Sequence, residues 1–263
     1  MRPVLDVPHP LAIAHRGSRL LWPENTMRAF GGAYDLGYRW FETDLHLTGD
    51  GVVVCLHDDT LDRTTDRTGP ISDVVWADLA SIDAGFALEI EGEHPFRGRG
   101  VSIPSFEELV TTYPDVSVVV DLKQDGLARP LAGLVERLDL WDRLVVGSFS
   151  DRRLREFRQA TGGRVATSTG PVASVTALIG ALVGRAPRLA DAVQLPRFQS
   201  GIPVITARSV KGFLAGGYDV HVWTVNDPEE MRLLLDWGVG GIITDRGDLL
   251  RKVLEDRGAW TGG

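Results

Sequence analysis

Short runs rich in Val, Ile, Leu and aromatic residues alternate with stretches of helical periodicity along nearly the whole chain, the pattern of parallel strands joined by helical crossovers. Eight runs predict strands, at 11–15, 40–47, 117–123, 144–149, 164–168, 192–195, 219–225 and 241–244. Helical spacing predicts helices near 24–36, 105–112, 152–159, 172–183, 228–237 and 248–256. A shorter run at 202–206 precedes a further helix near 210–215. Asp227-Pro228-Glu229-Glu230 marks a helix start, with Asp227 able to cap, Pro228 suited to the first turn and two acids facing the positive end of the dipole.

Two departures interrupt the alternation. Gly49-Asp50-Gly51 is a turn of hairpin type, so 52–56 should return beside 40–47 and carry His57 to a strand end. From 59 to about 100 the chain turns to Thr, Asp, Gly and Arg, with one short helical stretch near 72–81. This reads as an insertion lying over one face. The expected fold is therefore α/β, a TIM-type (β/α)8 barrel with a small insertion after the second strand region. The 263 residues match one such domain, which typically needs roughly 250.

Composition narrows the function. Apolar residues make up 43% of the chain, enough for a sizeable core, and the net charge of −8 disfavours a nonspecific polyanion binder, so no nucleic-acid partner is expected. The one cysteine, Cys55, sits in an apolar run, excludes an intrachain disulfide and fits a reducing compartment. No run approaches the ~20 apolar residues of a membrane span, and Met1 to Pro8 holds no long apolar core. The expectation is a soluble cytoplasmic protein with a small-molecule partner and no stable membrane anchor, compatible with a homodimer.

In such a barrel the reactive side chains stand at the C-terminal ends of strands. Polar residues break the apolar runs there at His15-Arg16-Gly17, Glu42-Thr43-Asp44, His57-Asp58 and Asp121-Leu122-Lys123. Glu42 and Asp44 share a strand face, as do Asp121 and Lys123. If both faces look inward, three acids converge, and a divalent cation would remove their repulsion; oxygen ligands favour Mg²⁺ or Ca²⁺. The alternatives are an exposed strand face for Glu42 and Asp44, and a salt bridge at the barrel mouth for Asp121 and Lys123. Lysine occurs only at 123, 211 and 252, so one that ends a valine strand stands out, and its ammonium suits a phosphate oxygen. His15 and His57 could serve as proton donor and acceptor for breaking a P–O ester bond, with Arg16 gripping the phosphate through its planar fork. His46 has the parity of Glu42 and Asp44, and its place further along predicts a rim residue. Phe149 and Trp223 are candidates for an apolar wall beside the substrate's alcohol portion, with core packing as the alternative.

In order along the chain, His15-Arg16-Gly17, Pro23-Glu24-Asn25-Thr26, Glu42-Thr43-Asp44-Leu45, His57-Asp58, Leu61-Asp62-Arg63-Thr64-Thr65, Ile103-Pro104-Ser105-Phe106-Glu107-Glu108, Trp223-Thr224-Val225-Asn226 and Gly241-Ile242-Ile243-Thr244-Asp245 resemble the glycerophosphodiester phosphodiesterases. The resemblance implies metal-dependent hydrolysis of glycerophosphodiesters to an alcohol and glycerol 3-phosphate. By similarity, His15 and His57 form the acid/base pair; Glu42, Asp44 and Asp121 hold the metal; Arg16 and Lys123 hold the phosphate. Asn25 or Thr26 caps a helix and Glu24 fixes Arg16 or His15, while Asp62 to Thr65 and Gly69 shape turns. The family usually has a glutamate where Asp121 stands, which puts the metal's identity in question and resembles the spider-venom sphingomyelinase D group. That group lacks the insertion. A lysophospholipase D activity would need an exposed apolar rim, for which Ile71, Val74, Val75 and Trp76 are candidates, with inward packing, the commoner state at helical spacing, as the alternative. A silent barrel that binds phosphate esters is the remaining rival.

Overall fold

The computed structural model describes residues 2–262. Its elements are β1 (Leu11–His15), α1 (Met27–Asp35), β2 (Trp40–Leu47), β3 (Val53–Cys55), α2 (Trp76–Leu79), α3 (Phe106–Thr112), β4 (Ser117–Leu122), α4 (Ala128–Arg137), β5 (Leu144–Gly147) and α5 (Asp151–Ala160). There follow β6 (Ala166–Thr167), α6 (Pro171–Leu182), β7 (Ala192–Pro196), β8 (Phe198–Gln199), β9 (Ile202–Pro203), α7 (Ala207–Ala215), β10 (Asp219–Trp223), α8 (Pro228–Asp236), β11 (Gly241–Thr244) and α9 (Gly247–Asp256).

Eight strands run parallel in the order β6-β5-β4-β2-β1-β11-β10-β7. A single bridge, Ser168 to Ala192, brings the two ends of this order together and nearly closes the barrel. β1 sits between the last strand and the second, with Ala12 beside Ile242 and His15 beside Glu42. Register then carries Asp44 beside Asp121 across β2 and β4, so the inward parity expected for these acids is met. The predicted hairpin is also present: β3 returns antiparallel to β2, with Leu45 opposite Cys55.

The main core lies between strands and helices, where Phe30, Phe41, Phe106, Phe157 and Phe213 are fully buried. Burial of this kind stabilises by about 1.5–3 kcal/mol per large side chain. A second cluster fills the barrel interior with Leu11, Ile13, Trp40, Val119, Val145 and Ile243. The excursion from 59 to 100 has a small core of its own around Leu61, Ile71, Leu79 and Ile82, packed on Val54 and Ile103. Ile71 is buried there and Val74 and Trp76 pack partly against it, so the insertion does not form the apolar rim considered above; only Val75 is exposed.

Local sequence explains the helix starts. Thr26, Ser105, Ser150, Thr206 and Asp227 each accept a backbone N–H of the first turn. Pro at 171 and 228 occupies the first turn of α6 and α8. Two elements were not foreseen: α4, and the small antiparallel hairpin of β8 and β9 within the loop after β7.

Candidate active site

His15 ends β1 and the chain then turns through three successive left-handed residues, Arg16, Gly17 and Ser18. At Gly17 a Cβ would lie 2.6 Å from that of Ala29, so only glycine permits α1 to pack this close behind the turn. The turn swings Arg16 over the barrel mouth. There its Nη1 donates to Glu24 Oε1 at 2.9 Å and its Nε pairs with Asp44 Oδ2 at 3.0 Å. Thr26 caps α1 as one of the two expected candidates, while Asn25 donates to Asp44 Oδ2 and accepts from Thr43.

Each histidine of the expected pair has a carboxylate on its Nδ1. Asp245 accepts from His15 Nδ1 at 2.6 Å, and Asp58 accepts from His57 Nδ1. This fixes the tautomer and leaves Nε2 of each ring for the site. His15 Nε2 lies 3.7 Å from Glu42 Oε2. Burial lowers the His57 pKa, with help from Arg16 and Lys123, against the pull of Asp44 and Asp58, so its imidazole is neutral at neutral pH. Burial would raise Asp245, but hydrogen bonds from His15, Arg19 and Asn226 outweigh it and bring the carboxyl down to about 2.

The acids form the floor. Burial, then the charge of Asp44, pushes Glu42 up to about 7, while Arg16 and Lys123 overcome burial to keep Asp44 ionised below its ordinary range. Asp121 is raised by burial, which Lys123 only partly offsets. Lys123 Nζ stands between two of these carboxylates, 2.9 Å from Asp44 and 2.7 Å from Asp121, and their charges keep it protonated despite burial. The convergence of acids thus comes with its own cations: the Asp121–Lys123 salt bridge given as the alternative is present, and the pairing of Lys123 with Asp44 is added to it.

These residues suit a hard divalent cation in donor type and in unspent acceptor capacity. Asp121 Oδ1 is buried without any hydrogen-bond partner, and Glu42 is a buried carboxylate whose negative form wants compensation. As the side chains stand, no three His, Cys, Asp or Glu groups among the described residues are arranged to hold one ion. Lys123 would have to give up its place between Asp44 and Asp121 to an ion bound by both.

His15, Arg16, Glu42, Asp44, His57, Asp121 and Lys123 line one cavity of about 530 Å³, and Phe149 and Trp223 line it with them. Phe149 stands two residues past the end of β5, exposed, its ring edge-on to Trp223 at 5.8 Å; the core alternative is excluded for it. His46 departs from expectation. It is buried below the mouth, with Nδ1 on Gln124 and Nε2 on the His57 carbonyl, and so holds the backbone of His57 instead of standing on the rim. Arg63 also departs: it reaches out of the insertion to grip both carboxylate oxygens of Glu24 and the carboxylate of Asp58. Asp62 and Thr65 do shape turns, accepting from Gly69 and Arg67.

Sequence reasoning gave no role to Asp245, Asn226 or Arg19. Asn226 donates to Asp245 Oδ2 and accepts the Asp245 backbone N–H, so it sets the acid that sets His15. The signal was available: Asp245 interrupts an apolar strand at its C-terminal end, as the other site residues do.

The barrel mouth thus sets two carboxylate-backed histidines to face acids and fixed cations. The profile of the glycerophosphoryl diester phosphodiesterase family matches residues 15–249, and the chain belongs to that family. Among relatives, a probable glycerophosphodiester phosphodiesterase 2 of Mycobacterium tuberculosis is 40% identical over 259 residues, covering 96% of this chain and 93% of that one. A glycerophosphoryl diester phosphodiesterase domain of another Mycobacterium tuberculosis protein shares the fold at a TM-score of 0.82 and 21% identity, over 94% of this chain and 99% of that one. An Oleispira antarctica phosphodiesterase, solved with the product sn-glycerol-3-phosphate, superposes at a TM-score of 0.74 and 25% identity, over 94% of this chain and 97% of that one. No helix among the described residues is long and apolar enough to cross a membrane.

Proposed function

We propose that this chain hydrolyses glycerophosphodiesters to glycerol 3-phosphate and an alcohol by histidine acid/base catalysis. The observation that carries the proposal is the pairing of His15 with Asp245 and of His57 with Asp58 at the mouth shared with Arg16 and Lys123. The cationic side chains receive the phosphate oxygens and offset the charge that builds on them. His57, neutral by virtue of burial, suits the accepting role and takes the nucleophile's proton. His15, oriented by Asp245, then protonates the leaving alkoxide. Phe149 and Trp223 flank the alcohol.

In this reading Glu42, Asp44 and Asp121 would hold a divalent cation, Mg²⁺ or Ca²⁺, which when bound supplies positive charge against the phosphate. Residues 1–263 act as one barrel domain, with the excursion at 59–100 as part of its mouth. Buried, unpaired Cys55 accords with a cytoplasmic setting.

The test is release of glycerol 3-phosphate from a panel of glycerophosphodiesters with Mg²⁺, Ca²⁺ or EDTA, for wild type and His15→Ala. The expected result is release that EDTA abolishes and the substitution reduces at least about 100-fold. Release that persists in His15→Ala would remove the histidine mechanism. Release indifferent to EDTA would remove the metal.

A further inference from the structure

Inside the barrel a polar column stands where branched apolar side chains ordinarily fill the space. Val220 and Val222 of β10 pack outward into the main core, so Asp219, His221 and Trp223 point inward, and register places His221 beside Gln194 of β7. His221 is wholly buried and Asp219 is 7% exposed. Two successive glycines make room for them: a Cβ at Gly240 would lie 1.8 Å from Asp219 Oδ1, and one at Gly241 would lie 3.0 Å from the His221 ring. Burying ionisable groups in this way is costly, and neither takes part in the proton transfers proposed above.

The column fixes the orientation of one amide in the catalytic cavity. His221 Nε2 faces Asp219 Oδ2 at 3.5 Å, and neither atom has a hydrogen-bond partner among the described residues. Burial would raise the Asp219 carboxyl, but His221 and His9 outweigh it and keep it ionised, below its ordinary range. A carboxylate only accepts, so it holds the ring proton on Nε2 and leaves the Nδ1 lone pair facing Gln194 Nε2 at 3.2 Å. The amide N–H of Gln194 therefore donates to the ring. Its Oε1 is turned the other way, toward Gly147, where an added Cβ would stand 3.1 Å from that oxygen and 2.9 Å from Ser168 Oγ. Gln194, Gly147 and Ser168 all line the cavity that holds His15 and His57.

These two oxygens offer an acceptor and a hydroxyl beside open space, since glycine at 147 has no side chain to fill it. Gly147 pairs with Asp121 across β4 and β5, so it stands one strand spacing, ~4.8 Å, from the wall that carries Asp121 and Lys123. The carbons of a glycerol cover that span. We propose that Gln194 recognises the terminal hydroxyl of the substrate's glycerol through Oε1, with Ser168 beside it, and that His221 and Asp219 are positioning residues that keep this oxygen, and not the amide N–H, facing the ligand. The proposal rests on the phosphodiesterase reading above and names a specificity determinant for the same site. An acceptor there favours a substrate that brings a donor; one that ends in a methyl displaces water and leaves Oε1 unpaired.

The test compares choline release, with Mg²⁺ and Ca²⁺ supplied, from glycerophosphocholine and from its analogue with a 2-hydroxypropyl group in place of glycerol, which lacks only the terminal hydroxyl. Choline has no second hydroxyl, so the comparison reads the glycerol side alone. Wild type should favour glycerophosphocholine about tenfold in kcat/KM, the effect of one hydrogen bond at the upper end of the usual range. Gln194→Met, close in shape and without the acceptor, should bring the ratio below threefold, and Gly147→Ala, which fills the space beside Oε1, should do the same. Asp219→Asn should follow them, because a neutral amide no longer dictates which nitrogen of His221 carries the proton. The ratio is taken within each enzyme, so incomplete folding of a variant cancels from it. A wild-type ratio below threefold overturns the proposal, as does one that stays above threefold in Gln194→Met or Gly147→Ala; in each case the phosphodiesterase reading survives. A ratio unchanged in Asp219→Asn overturns the positioning role. No choline from either substrate with the wild type overturns both readings.

Discussion

Asp245 Oδ1 accepts a 2.6 Å hydrogen bond from His15 Nδ1, tying the end of β11 to the end of β1 across 230 positions of sequence. The same carboxylate accepts from Arg19 and from Asn226, so it is fixed on three sides before it fixes the histidine. An ionised acid held this way orients the ring, and in the proposed mechanism it would stabilise the imidazolium formed during proton transfer.

Asp245→Asn keeps the shape and removes the charge. We expect kcat/KM to fall at least about 100-fold with the fold retained. Steady-state kinetics and circular dichroism check both halves of the statement. A loss below threefold would mean that His15 needs no anionic partner.

The same acid makes a prediction about pH. Its folded pKa is depressed to about 2, from an ordinary value of 3.8, so its contribution is fully present above about pH 4 and is lost as pH falls through 2. That contribution is at most about 2 kcal/mol. Urea unfolding of wild type and Asp245→Asn should therefore differ most near neutrality and converge in acid. A gap that widens as pH falls would have the wrong sign.

Arg63 is expected to matter more to catalysis than to stability. It is 43% exposed in its side chain, so its ion pairs contribute roughly 0.2–1 kcal/mol each to folding. Yet it holds Glu24, which holds Arg16, and Asp58, which holds His57. Arg63→Ala should shift Tm by only a few degrees while lowering kcat/KM about tenfold. Its effect should be less than additive with that of Glu24→Gln, which a double-mutant cycle reads directly.

Gly17→Ala tests the turn beneath the site. The backbone there has φ +76°, and the added methyl would meet the Cβ and backbone of Ala29 at 2.6 and 2.7 Å. Overpacking with left-handed strain should destabilise by about 2–4 kcal/mol and displace Arg16. Thermal unfolding measures the first. A raised KM in the residual activity measures the second.

Much of the fold was legible because its signals are local. Short, nearly continuous apolar runs placed β1, β2 and β11 at their observed bounds, and strand parity brought Glu42, Asp44 and Asp121 to one cavity. What escaped was set by contacts between distant segments. Lys123 and Asp121 do form the mouth salt bridge weighed as the bland alternative, and the same lysine also pairs with Asp44, which strand parity could not reveal. His46 shares the parity of the acids but lies beside β3 and Gln124, whose groups engage it below the mouth. Arg63 sits in a segment that reads as turns, and its reach to Glu24 depends on how the insertion folds back. The apolar rim was sought in the insertion, where the side chains found a small core of their own.

The barrel's two halves are stitched unequally. β2 and β4 align over six residue pairs, whereas β6 and β7 meet at the single bridge of Ser168 and Ala192. The acid-bearing side is thus the stiff side, and the loosely sewn seam runs out beneath α6. Spreading at that seam would change the width of the mouth while the spacing of Glu42, Asp44 and Asp121 stays fixed.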